Sequence, residues 1–130
     1  MLRNVALKQP HYDKEDLLDL ENRIEAHLDG LMTALDISWE VCLEALEFEQ
    51  PGEVFTVSIV AFRTRDVEKI KTAVSAGLKT PETVKGLISA LAWLPENLAV
   101  DWMHKFLSSK NLEHKSLAIC AAIIVIVLII

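Results

Sequence analysis

An internal echo constrains this chain more than any other feature of its sequence. Glu53-Val-Phe-Thr-Val-Ser-Ile-Val-Ala61 returns as Glu82-Thr-Val-Lys-Gly-Leu-Ile-Ser-Ala90, and a third copy runs from Glu113 to Ala121. Ile59 and Ala61 correspond to Ile88 and Ala90 and then to Ile119 and Ala121. A spacing of about thirty residues is the length of a helical hairpin, a unit that cannot bury its apolar face alone and must stack on its neighbours. The expected fold class is therefore all-α, an α-solenoid of about seven helices stacked as right-handed antiparallel hairpins. The three Ile and Ala pairs are expected at equivalent buried positions, with Trp102 and Phe106 packed between them.

Composition points the same way. Only 4 Gly and 4 Pro occur in 130 residues, and 52% of residues are hydrophobic, which favours long helices and short turns over an all-β sandwich. The net charge of -6 is unevenly distributed: residues 1–50 carry 12 acids against 4 bases, and residues 51–130 carry 7 acids against 9 bases. Nucleic-acid binding requires a cationic footprint to displace counterions, and that charge balance argues against it. Cys42 and Cys120 lie far apart among apolar neighbours and match neither a CxxC pair nor a metal quartet, so both are expected as buried thiols. The first ten residues lack the apolar core of a secretory signal, and the cytoplasm is the expected compartment.

Residues 1–12 read as an irregular arm, residues 13–50 as an N-terminal helical hairpin and residues 51–130 as the repeats. Asp13 is a candidate cap for a first helix whose Leu17, Leu20, Ile24, Leu28, Leu31 and Leu35 form one stripe. Gly30 either admits a close neighbour or weakens that helix. Asp36 or Ser38 is expected to cap a second helix, with Trp39, Cys42, Leu43 and Leu46 on one face and Glu40, Glu44 and Glu47 on another. The Val, Thr, Ile and Phe content of 54–62 favours a strand, but register with the copy at Thr80-Pro81-Glu82, a cap followed by a first-turn proline and acid, predicts a helix. Asp66 is expected to cap a shorter helix with Val67, Ile70, Val74 and Leu78 inward. Glu96 or Asn97 starts another that carries Leu98, Trp102 and Phe106.

With apolar positions and a small residue at fixed places in its first helices, the stretch from Pro51 to Ile130 resembles the HEAT-like repeat of the phycobilisome-lyase type. The preceding part, Leu17 to Gly30 with Trp39 to Leu46 and Pro51 to Phe55, is similar to a group of uncharacterised bacterial HEAT-like proteins whose repeats continue further. The resemblance implies a non-enzymatic scaffold or adaptor that binds a protein partner, with a link to bacterial secretion. It supplies no catalytic residues.

The residues themselves offer no chemistry that would compete with this reading. His11, His27, His104 and His114 are scattered without metal-ligand spacing, and His27, beside the first apolar stripe, is expected to be packed. The glycines at 30, 52, 77 and 86 form no phosphate loop, and the serines lack a nucleophile elbow. No catalytic residue, cofactor or metal is expected, and Trp39, Trp93 and Trp102 read as core. Glu40, Glu44 and Glu47 form a candidate acidic docking strip for a partner.

The C-terminal run from Leu117 to Ile130 is apolar throughout. It falls short of the roughly 20 residues a membrane span needs, and it lacks an aromatic belt. Attachment to a membrane by this tail is thus the alternative reading. The leading one makes it a first helix of a hairpin without its second, with Ile123, Ile126, Val127, Ile129 and Ile130 covered by a second copy of the chain or by the remainder of a longer solenoid.

Overall fold

The computed structural model describes residues 14–129, with side chains as far as residue 123. It contains seven α-helices: α1 Lys14–Thr33, α2 Leu35–Ala45, α3 Pro51–Thr64, α4 Val67–Gly77, α5 Pro81–Trp93, α6 Glu96–Leu107 and α7 Leu112–Ile129. A 3-10 turn, Leu46–Phe48, extends α2, and no strand occurs among the described residues. The expected cap Asp13 and the N-terminal arm lie outside the described residues, as do the side chains of Ile126, Val127 and Ile129 and the whole of Ile130.

The segment with strand-like composition is helical, and its surroundings explain why. Helix α3 is packed by α1, α2, α4 and α5, and Val54 and the six residues from Val57 to Phe62 are all buried. A helix enclosed on most sides must be apolar around its circumference, so the β-branched residues serve burial and their local strand preference is overridden. Pro51 at its first turn has no amide to satisfy, and Arg65 ends it in a left-handed conformation at φ 60°.

Helices α3, α5 and α7 contact one another in sequence, with α4 packed beside α3 and α5 and α6 packed beside α7. The contact between α3 and α5 is close because Gly86 lacks a side chain. A Cβ there would lie 2.2 Å from the Pro51 carbonyl oxygen, and one on Gly77 would meet Leu87 at 2.7 Å. Gly30 does not act this way, since a Cβ there would meet nothing within 4 Å. Turn chemistry supports each junction. Asp66 accepts from the Glu68 amide at 3.0 Å, Asn111 from the Glu113 amide at 2.8 Å, and Thr80 and Thr83 form a reciprocal capping box.

The repeat positions are only partly equivalent. Ala61, Ala90 and Ala121 are all fully buried, but Ala61 and Ala121 belong to the main core whereas Ala90 packs with Leu28 and Ile59 in a second cluster. Ile59 is buried, Ile88 is half-buried, and Ile119, expected inside, is 53% exposed. Helix α1 accounts for the difference. Its Ile24 and Leu28 cover Ile59, and among the described residues nothing comparable covers Ile119. Phe106 is buried and Trp102 half-buried, stacked edgewise on Phe62 with ring centroids 6.4 and 5.3 Å away.

Three local expectations are corrected. Neither Asp36 nor Ser38 caps α2; Ala34 holds the cap position, and the Ser38 hydroxyl donates to the Leu31 carbonyl at 2.6 Å, satisfying an acceptor left free where α1 breaks. Val67, in the first turn of α4, is exposed, as is Leu43. Cys120 is half-buried, and only Cys42 is buried.

Candidate functional site

Helix α2 has two unlike sides. Ser38 and Cys42 are buried, and Trp39 and Leu46 pack against the core. The opposite side presents Ile37, Val41 and, from the 3-10 turn, Phe48, with relative exposures of 72%, 57% and 71%. With about 3.6 residues per turn, Ile37 and Val41 lie one above the other, and Glu40 and Glu44 fall beside them. The winding tightens at Leu46–Phe48, so Glu47 and Phe48 both belong to the 3-10 turn that continues α2, one turn beyond Glu44. All three glutamates are exposed.

The electrostatics of this face are one-sided. Between Ala34 and Gln50 the chain has five carboxylates, Asp36, Glu40, Glu44, Glu47 and Glu49, and no Lys or Arg. Glu49, in a left-handed conformation at φ 51°, approaches Lys79 at 3.9 Å, while Asp36, Glu40, Glu44 and Glu47 form no ion pair among the described residues. Along one flank, an open groove of about 510 Å³ separates Leu43, Leu46 and Glu47 from Glu68, Lys71 and Ser75 of α4 and Lys79 just beyond it. Its far wall carries two lysines, Lys71 at 3.7 Å from Glu68 and Lys79 at 3.9 Å from Glu49. Lys69 sits over the Trp39 ring at 5.4 Å and also pairs with Asp66, so its charge is directed away from the exposed ridge.

Helix α7 offers a second apolar surface. Leu112, Ile119 and Ile123 are exposed at spacings of seven and four residues and share one side, while Leu117, Ala118 and Ala121 are buried. Ile123 is thus the one expected interface residue whose side chain is described.

The remaining polar groups form structural contacts. Glu25 accepts from the Trp93 indole and from Arg63 at 2.7 Å, and Arg63 also reaches Asp29 at 3.2 Å, which ties α1 to α3 and α5. His27, expected to be packed, is exposed because it falls off the stripe that contacts α3; among the described residues His114 is the packed histidine, against Phe106 and within 3.2 Å of the Ser109 hydroxyl. Burial raises the pKa of the Cys42 thiol above its ordinary value. Among the described residues no group of three or more His, Cys, Asp or Glu could hold a metal ion, and no helix is long and apolar enough to cross a membrane.

Of the candidate site, the acidic residues were legible from spacing, but the apolar ridge beside them was not. Its signal was present in Ile37 and Val41, four residues apart and out of phase with Trp39, Cys42 and Leu46. No family model, curated protein or solved structure matches the chain.

Proposed function

We propose that this chain is a non-enzymatic protein-binding scaffold built from HEAT-like helical hairpins. The observation that carries the reading is the solvent-facing ridge of Ile37, Val41 and Phe48 on a helix whose other side is packed into the core. Burying such side chains completely is worth about 1.5–3 kcal/mol each, so a rigid helix that keeps three of them in water is suited to receiving a partner. The sequential contacts of α3, α5 and α7 support a stacked scaffold that holds this face in place. The exposed line on α7 favours association with a second copy of the chain, since it is apolar and bears no charge that would oppose self-pairing.

Affinity purification of the tagged chain from its native cells tests the reading. The wild type is expected to retain a defined protein that the Ile37→Ser, Phe48→Ser double variant loses while its circular dichroism stays unchanged. Retention of the same proteins by this variant and by Ile119→Ser would overturn it.

A further inference from the structure

We infer that the outer face of α2 receives a basic amphipathic helix from a protein partner, an assignment that rests on the scaffold reading and names its occupant. Ile37 and Val41 on α2 and Phe48 on the 3-10 turn that continues it leave an apolar strip in water, a surface that a second helix covers by seating its own apolar stripe on it. Beside that line stand Glu40 and Glu44, with Asp36 one turn before and Glu47 one turn after. Four carboxylates without an ion-pair partner among the described residues, and no base between Ala34 and Gln50, give the face a single sign.

That sign selects among occupants. Two copies of α2 laid face to face would bring Glu40 and Glu44 of each against those of the other, an arrangement that like-charge repulsion disfavours. An anionic lipid surface and the phosphates of a nucleic acid are opposed by the same carboxylates. A helix with Leu, Ile or Phe along one stripe and Lys or Arg beside it matches both parts of the face. Its apolar stripe covers the ridge, and its cations reach Asp36, Glu40, Glu44 and Glu47 at the rim. Rim charges of this kind mainly steer and select partners, so binding should weaken as salt rises.

Fluorescence anisotropy with a labelled Leu–Lys amphipathic helical peptide tests the inference, with a Leu–Glu peptide of the same pattern as its counterpart. The full chain is expected to bind the Leu–Lys probe at low salt and several-fold more weakly at about 0.5 M salt. Glu44→Lys and Phe48→Ser should each weaken it about tenfold, corresponding to roughly 1.4 kcal/mol. Asp101→Lys, which makes the same charge change at an exposed position on α6, should leave it within about twofold. Equal weakening by Asp101→Lys and Glu44→Lys would reduce the binding to general attraction by an acidic protein and overturn the inference. So would failure of the Leu–Lys probe to bind, preference for the Leu–Glu probe, or a change in sedimenting mass on Phe48→Ser, which would make the occupant a second copy. Should the probe fail while the Ile37→Ser, Phe48→Ser variant still loses its co-purifying protein, the basic-helix assignment falls and the scaffold reading stands.

Discussion

Two glycines show how far a residue's role depends on its neighbours. Gly30 and Gly86 both fall within helices, and sequence alone left Gly30 open between a close approach and a weak point in its helix. The contact belongs to Gly86, because α5 crosses the start of α3 where the Pro51 carbonyl occupies the space of a Cβ. Periodicity identifies a helix but not which glycine faces another backbone, and that information resides in the crossing geometry. The two positions should therefore respond to the same substitution with opposite signs. Gly86→Ala is expected to destabilise the protein by about 1–3 kcal/mol through overpacking against backbone. Gly30→Ala, on an exposed turn of α1, should stabilise it by about 0.5–1 kcal/mol by restricting the unfolded chain. Urea denaturation of the two variants measures both, and changes of the same sign would contradict the assigned crossing.

At the scale of the elements, start signals were the most legible part of the sequence. Thr80-Pro81-Glu82 and Asp66 mark helix starts by local chemistry, and both cap as their residue types require. The break between α1 and α2 was less legible, since Ala34 has no side chain with which to cap and Ser38 acts by bonding back to Leu31. The Asp66 cap also carries a pH dependence. Its carboxyl is held below the ordinary value of 3.8, chiefly by its hydrogen bond from Lys69 and then by the Glu68 amide. A carboxylate with a depressed folded-state pKa stabilises fully above its unfolded value, and that contribution is lost as pH falls through the folded value. Between about pH 5 and pH 3 the urea midpoint of the wild type should therefore fall more steeply than that of Asp66→Asn. Parallel slopes would show that the cap contributes nothing through its charge.

Across the whole molecule, acidity and exposed apolar surface coincide on α2. The excess of acids in residues 1–50 was plain from the sequence, and the all-helical fold followed from the spacing of apolar residues and the scarcity of turn-formers. Which apolar residues remain in water was not plain. Ile37 and Ile119 look like core residues by composition, and they are exposed because they lie on the sides of α2 and α7 opposite the buried Cys42 and Leu117. Equivalence between repeats fails for the same reason, since α1 covers Ile59 but does not extend over Ile119. The central claim is that the outer side of α2 meets another protein. Photo-crosslinking in the native cells tests it directly, with benzoylphenylalanine replacing Phe48 and, as a reference, the exposed Lys85 of α5. The account predicts a discrete protein adduct from position 48 and none from position 85. The absence of any adduct at position 48 in folded protein, or the same adducts from both positions, would contradict it.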